Sequence, residues 1–412
     1  MTDSARSKVK ASVHTKICSQ CGLCMVKDWP AKQAVQSCVF ITGWLGSREQ
    51  ELFGRERSCD QNDEMRFGIS RRHFVAVLKQ PLPNTQFSGI ITCIAHKAFE
   101  SGMIDAVATL HRSDKDYFFS RPVLARSATD IAASGGSKPV LSQVLASLQE
   151  ACRQGVKRLL VIGSPCQIHN LRNFKRLFPY LQDMDIFTIG IPCTNNVSPK
   201  KFRWMLRKIS SAHKTARHIE YMQDFTVHIQ HMNGSLERVP FFSLPQELTG
   251  TNVFPESCLS CFDYLNSLAD ITVGYMGAPL VAEKKYQWVI VRTKKGEALN
   301  GLIAGELETL SEETAGERRT GIMMYVDQLF KKMALGPDAP QPKGRFLSLR
   351  DGRALAERVY QTGPRGLEFA RYAVDMHLIR NYYHVKTNYP DKVQTLVPKH
   401  VYKVLEEFEL PL

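Results

Sequence analysis

Cys18, Cys21, Cys24 and Cys38 spell C-x2-C-G-L-C followed by one more cysteine, and few sequence patterns constrain a chain as tightly. Three thiolates at strict three-residue steps can converge on neighbouring irons of a cubane cluster, and a glycine between them lets the loop turn tightly. Zinc is the rival ligand, but its usual signature is two separated C-x2-C pairs. The pattern predicts a 4Fe-4S centre and an electron-transfer chemistry.

Four further cysteines extend the set. Cys258 and Cys261 form a second C-x2-C in PESCLSCFDY, while Cys166 and Cys193 sit in RLLVIGSPCQ and DIFTIGIPCT. Each of the last two follows a β-branched run and a proline turn, which places it just past the carboxyl end of a parallel strand. Strand ends of that kind share one edge of an open α/β sheet, where ligands collect. Eight cysteines are the complement for two 4Fe-4S clusters, and spacing alone leaves open which serves which cluster, because a distant cysteine commonly ligates the other one. Cys93 and Cys152 lie in apolar or amphipathic stretches and are expected in the core, and Cys59, among charges, is expected in an exposed loop. Cluster thiolates need a reducing compartment, so no disulfides are expected.

The alternation of helix and short apolar strand from about Phe87 onward predicts an α/β fold with a mostly parallel sheet covered on both faces. SGIITCIAHKAFESG reads as a helix before the strand IDAVATL, and SQVLASLQEACRQG before KRLLVIG. Asn233-Gly234, inside TVHIQHMNGSLERVPFF, marks a hairpin. Three stretches follow. Residues 1–84 form an irregular, ferredoxin-like iron–sulfur segment, 85–295 an α/β core with the second group of cysteines, and 296–412 a helical region broken by LGPDAPQPKG. The last 20-residue pattern, GLEFARYAVDMHLIRNYYHV, reads as an amphipathic helix. The chain starts MTDSARSKVKASVHTK, which lacks an apolar signal region and reads as a short disordered tail.

A net charge of +14 raises nucleic acid as a partner, but the positive residues are spread thinly and no nucleic-acid-binding motif is present. A basic surface would instead steer an acidic electron donor such as ferredoxin. No run of about eighteen apolar residues exists, so no transmembrane segment is expected. Gly135-Gly136-Ser137-Lys138 and Ser88-Gly89, the latter opening a helix, could each cradle a phosphate through backbone N–H groups.

Taken together, CSQCGLC, RPVLAR, IGSPCQI, EYMQDF, VPFFSLP, PESCLSCFDYLNSLADITVGYMGAP and GPRGLEFARYAVDMHLIRNYY resemble the beta-subunit family of deazaflavin-coenzyme-reducing hydrogenases, in its chlorophyll-biosynthesis branch. The resemblance runs from Cys18 to beyond Tyr383. It implies an FAD in the α/β core beside two 4Fe-4S clusters, with Cys18, Cys21, Cys24, Cys38, Cys166, Cys193, Cys258 and Cys261 matching the cluster cysteines. Ser88 and Gly89 match the start of the flavin-binding helix, with Ile90 in place of a second glycine. Ser137 and Lys138 match a Gly-Ser-Lys loop, with Pro139 in place of tyrosine.

The implied activity is reduction of a chlorophyll-type tetrapyrrole by reduced ferredoxin, foremost the 8-vinyl group of a divinyl (proto)chlorophyllide. The alternative acceptor is a 7-hydroxymethyl chlorophyll a, and an alternative of another class is an electron-relay subunit of a larger complex. Cys193-Thr194-Asn195-Asn196 departs from the branch's Cys-Val-Asp-Asn and so loses a carboxylate. His377, Tyr275 and Asp263 are left as candidate proton donors, and His377 and Tyr382 as residues of a helix that could cap a flat pigment. The implied setting is a cyanobacterial or other bacterial cytoplasm, or a plastid stroma, and a homo-oligomer is compatible with it.

Overall fold

A computed structural model describes residues 16–26, 29, 31–113, 118–248, 253–281, 284–335 and 344–412. The expected N-terminal tail and most of LGPDAPQPKG lie outside these residues. Eleven strands carry the fold: β1 Arg72–Leu78, β2 Ala106–Arg112, β3 Ser120–Ala125, β4 Arg158–Gly163, β5 Asp185–Gly190, β6 Ala216–Tyr221, β7 Thr226–His231, β8 Leu236–Pro240, β9 Ile271–Gly274, β10 Gln287–Val291 and β11 Leu307–Leu310. Eight of them form one sheet in the order β11-β1-β10-β9-β5-β4-β2-β3.

That sheet is mixed, which corrects the expectation of a mostly parallel one. Only β2–β4, β4–β5 and β5–β9 pair in parallel, and the other four pairings are antiparallel. Parallel neighbours need a crossover, and the helices that make one lie between β2 and β9. The β2–β3 connection is short and folds straight back. On the other side, β1 enters between β10 and β11, although its apolar run HFVAVL falls in a stretch that reads as irregular.

Alternation along the strands divides two cores. Val75 and Val77, with Leu159 and Val161, face one side, while Ala76 and Leu78, with Leu160 and Ile162, face the other. The first side is covered by the N-terminal cysteine-bearing residues (Leu23, Phe40 and Trp44), by the helix Pro165–Leu177, and by C-terminal residues such as Leu378 and Val401. Helix α1, Ile90–Glu100, covers the second. The other helices that matter here are α2 Pro165–Leu177, α3 Pro199–Ile209, α4 Arg319–Leu335, α5 Leu349–Thr362, α6 Leu367–Asn388 and α7 Lys399–Glu407.

A separate three-stranded sheet, β6-β7-β8, packs with α3 around a third core. Its β7–β8 pairing closes at Asn233-Gly234 as expected, with Gly234 at φ +83 and the Asn233 side-chain oxygen accepting the Ser235 N–H at 3.0 Å.

Helix α6 is not amphipathic. Val374, Asp375, His377, Leu378, Ile379, Asn381, Tyr382 and Tyr383 are all buried, so the helix is enclosed around most of its circumference. Its polar residues are therefore obliged to find partners. No helix among the described residues is long and apolar enough to cross a membrane.

Candidate active site

The N-terminal cysteine loop folds because Gly22 adopts φ +106, and a Cβ there would meet Ala146 N at 2.7 Å and Gln143 O at 2.8 Å. The Leu145 N–H donates to the Cys21 carbonyl at 3.0 Å and fixes the loop against the sheet domain. Cys38 caps the short helix Val39–Thr42. One side chain of α2, Asn170, holds both pieces: its Oδ1 accepts the Val39 N–H at 2.8 Å and its Nδ2 donates to Cys21 Sγ at 3.3 Å. The Gln20 N–H donates to Cys18 Sγ at 3.3 Å.

Cys166 is the second residue of α2, whose start is fixed by a reciprocal cap between Ser164 and Gln167. Cys193 follows the end of β5, as Cys166 follows β4, so both lie at the sheet edge where strand ends were expected. Cys258 belongs to the short helix Glu256–Leu259, with Cys261 just beyond it. These four thiols line one small cavity together with Ser164, Gln167 and Asn196. The Asn196 N–H donates to Cys258 Sγ at 3.4 Å. From α6, Asn381 Nδ2 donates to the carbonyls of Cys258 and Cys261, which pins the C-x2-C loop.

Folding thus groups what spacing left open. Cys18, Cys21, Cys24 and Cys38 gather at one place and Cys166, Cys193, Cys258 and Cys261 at another. Burial, followed by the neighbouring thiols of Cys24, Cys18 and Cys166, pushes Cys38 up to about 12. Burial likewise pushes Cys258 up to about 12, with Cys166 adding to it, and raises Cys21, Cys193 and Cys261. Cys166 is felt from both groups, so they adjoin. Among the described residues no three His, Cys, Asp or Glu side chains sit close enough to share one metal ion. A cubane takes one thiolate on each of four irons and asks for a wider spread. Backbone and amide N–H donors aimed at sulfur suit cluster ligation, since such bonds tune cluster potentials. Cys93 is buried as expected, Cys152 is half-buried against the first core, and Cys59 is half-buried rather than exposed.

Beside the Cys193 loop opens a cavity of about 1000 Å³, at the upper end for small-molecule sites. It shares Ser142, Ser164, Gln167, Cys193, Thr194 and Asn196 with the cysteine cavity, so the two adjoin. The strand ends, the β6–β8 sheet and helices α4–α6 enclose it. Phe87 and Tyr275 stack on its wall at 5.8 Å, and Phe87 sits at φ +52, a strain that ligand-binding loops tend to hold. Gln287 also lines it, 3% exposed, with its Oε1 buried and lacking a hydrogen-bond partner. Phe87 and Gln287 carry no motif, so the sequence offered no signal for these two.

Of the four residues matched to flavin binding, three line this cavity. Gly89 starts α1 at φ +94, where a Cβ would meet Thr85 Oγ1 at 2.7 Å. The Ser137 hydroxyl lies 3.3 Å from His218 Nδ1. Lys138 Nζ donates to the carbonyls of Ser134, Gly135 and Gly136 at 2.6, 3.1 and 3.0 Å, so its ammonium clamps its own loop. Burial, then Arg112, lowers its pKa to about 7. Ser88 instead faces the sheet, its Oγ accepting the Leu78 N–H at 3.1 Å. A cavity of this size, walled by aromatics and by glycines where a side chain would collide, suits a flavin.

The candidate proton donors separate. Asp263 is buried and held well below the usual carboxylate range: burial opposes this, but the His169 hydrogen bond at 2.9 Å, with Arg57 and Arg292 nearby, outweighs it. It does not line the cavity, and neither does Tyr382. His377 does, stacked on Tyr264 at 5.7 Å, and burial, then Arg380, lowers it to about 3. The Tyr275 hydroxyl lines the cavity and accepts the Gln223 N–H at 3.2 Å.

His218 makes the loop side of the cavity acid-sensitive. Burial, then Arg112, Arg217, Lys285 and Lys138, lowers its pKa from 6.5 to about 3. The unfolded ring takes a proton below about pH 6.5 and the folded one does not until about pH 3. The stability it contributes is therefore complete above pH 6.5 and drains away as pH falls toward 3, by about 2 kcal/mol at pH 5. His377 and His400 are lowered in the same sense, so His218→Gln should make the decline in urea midpoint between pH 7 and pH 5 shallower by its own share. A variant as steep as the parent would remove His218 as a source.

Comparison with known proteins matches two family models of the "Coenzyme F420 hydrogenase/dehydrogenase" beta chain, the N-terminal one over residues 73–149 and the C-terminal one over residues 156–314. The chain is 35% identical over 404 residues to 7-hydroxymethyl chlorophyll a reductase of rice, covering 95% of this chain and 82% of the rice protein. It is 34% identical over 396 residues to the uncharacterized protein all1601 of Nostoc, covering 96% and 94%. A chain of the F420-reducing [NiFe] hydrogenase complex from Methanosarcina barkeri shares the fold, with a TM-score of 0.57 at 20% identity over 80% of this chain and 96% of that one.

Proposed function

Because the chain belongs to the coenzyme F420 hydrogenase/dehydrogenase beta-subunit family, in its chlorophyll branch, we propose that it is an iron–sulfur flavoprotein that reduces a chlorophyll-type tetrapyrrole with electrons from reduced ferredoxin. On this reading Cys18, Cys21, Cys24 and Cys38 hold one 4Fe-4S cluster and Cys166, Cys193, Cys258 and Cys261 the other. FAD occupies the large cavity against Gly89, Ser137 and Lys138, with Ser88 bracing the turn from behind. When bound, these groups supply single-electron storage and a hydride. The observation that carries the proposal is the shared wall: Cys193 lines both the four-thiol cavity and the pigment-sized one.

The protein's own share is positioning, exclusion of water and a proton. Glu220 is paired with Lys285 at 3.0 Å. The exposed Glu317 is held ionised by hydrogen bonding at Thr320. Of the five tyrosines on the cavity wall, Tyr275 is the one we assign as O–H donor, because it stacks on Phe87 at the flavin-binding turn, and a phenol is a weak acid suited to completing such a reduction. Such a donor would serve either acceptor, an 8-vinyl group reduced to ethyl or a 7-hydroxymethyl group reduced to methyl with release of water, and the 8-vinyl group is the acceptor we put first. The substrate in the rice relative's name favours a second reading, reduction of a 7-hydroxymethyl group. The setting implied is a reducing compartment, a bacterial cytoplasm or a plastid stroma.

Anaerobic incubation of the holoprotein with reduced ferredoxin and each pigment separates the readings. Conversion of divinyl chlorophyllide to the monovinyl form, with 7-hydroxymethyl chlorophyll untouched, is the expected result. The reverse preference would establish the second acceptor. Turnover of neither, with a tightly co-purifying second chain, would make this an electron-relay subunit.

A further inference from the structure

Helix α6 presents Phe369, Tyr372, Ala373, Met376, His377 and Arg380 to the large cavity. These fall three or four positions apart, so they form one face, and from Phe369 to Arg380 that face runs about 16 Å. Most of its length offers rings and thioether. Its end offers a guanidinium.

Arg380 differs from the other arginines packed about this helix. Arg66 and Arg318 both bind Asp375, and Arg371 binds Asp63 and Glu368. No described carboxylate lies within ion-pair distance of Arg380. Asn381, His377 and Phe254 orient it: Nε donates to Asn381 Oδ1 at 2.9 Å, Nη2 lies 3.3 Å from His377 Nδ1, and the guanidinium rests over Phe254 at 5.9 Å, with the Cys258 thiol within its electrostatic reach but making no ion pair. A planar cation left unneutralised on an apolar cavity wall is a ready receptor for a carboxylate, which it can bind through two parallel N–H bonds.

Building on the pigment reading above, we infer that the cavity selects a tetrapyrrole with a free propionate, which Arg380 binds as an ion pair while the macrocycle lies along α6. The cavity's other cation, Lys138, is occupied by its own loop's carbonyls, with Arg112 beside it at Gly136. With the Lys138 donors spent on that loop, Arg380 is the cation of the cavity lining left to the substrate. The ligand class is thus the free-acid pigment rather than its long-chain ester, in which the carboxylate is masked.

The test is an anaerobic absorbance titration of the holoprotein with chlorophyllide a and with its methyl ester. The free acid should bind at least tenfold tighter. Arg380→Gln should weaken the acid about tenfold, to the level of the ester, and leave ester binding, iron and flavin content unchanged. Arg380→Lys, which keeps the charge but loses the planar fork, should fall between. Equal binding of acid and ester by the parent protein would overturn the inference and spare the pigment reading. So would loss of flavin or iron from Arg380→Gln, which would put the cation on a cofactor. Binding of neither pigment would overturn both.

Discussion

Cys258→Ser should carry about four irons per chain where the parent carries about eight, lose roughly half of the broad visible absorbance, and reduce no pigment. Cys258 is one of four thiols around the cavity that adjoins the large one, so its loss cuts the path next to the substrate. Each of these buried thiols is pushed up in pKa, and an ordinary thiol at neutral pH would stay protonated there. Cluster assembly must therefore displace protons and supply the energy to hold thiolates in place. Because serine can itself ligate iron through oxygen, Cys258→Ala provides the stricter variant. Cys59→Ser, at a half-buried bend outside both groups, should keep its iron. Full iron in Cys258→Ala would remove Cys258 as a ligand.

Asp375→Ala should destabilise the fold by about 3–5 kcal/mol, because it strands a buried charge. Arg66 Nε meets Asp375 Oδ1 at 2.7 Å with both side chains fully buried, and Arg318 Nε meets Oδ2 at 2.8 Å. Arg66 and Arg318 both reach Glu407, and Arg318 also reaches Glu368. One carboxylate thereby joins the helix Asn62–Phe67, the start of α4, α6 and α7. The same α6 carries Asn381 on the Cys258 and Cys261 carbonyls and Arg380 on the cavity wall, so the loss should also loosen cluster retention. Urea unfolding measures the first effect and iron content after dialysis the second. Asp375→Leu combined with Arg66→Met, which removes both charges, should recover much of the stability. A single variant within about 1 kcal/mol of the parent would show that the network does not hold these helices together.

The proposed cluster cysteines stood out because iron ligation would demand one residue type at characteristic short spacings, and Cys166 and Cys193 were legible as strand-end residues because β-branched runs and proline turns precede both. The Asn233-Gly234 hairpin was legible for a similarly local reason: its turn chemistry lies within four residues. β1 was not. HFVAVL looks like any apolar run until β10 and β11 arrive on either side of it, and those partners lie more than two hundred positions downstream. α6 was misread as amphipathic because Asp375, His377 and Asn381 look solvent-facing in a helical pattern. They are buried, and Arg66, Arg380 and the cysteine-loop carbonyls satisfy them.

The chain's local chemistry alone therefore pointed to a cluster-type cysteine pattern, to Cys166 and Cys193 at strand ends, and to the lack of any run long and apolar enough to cross a membrane. Tertiary structure decided how the thiols divide into two adjoining groups, that Lys138 clamps its own loop, that Ser88 faces the sheet, and that Arg380 meets no described carboxylate. The division follows range. Turn propensity, ligand spacing and hydrophobic period act over a few residues, whereas burial and ion pairing depend on which distant segments share a surface, and that is settled only when the sheet closes.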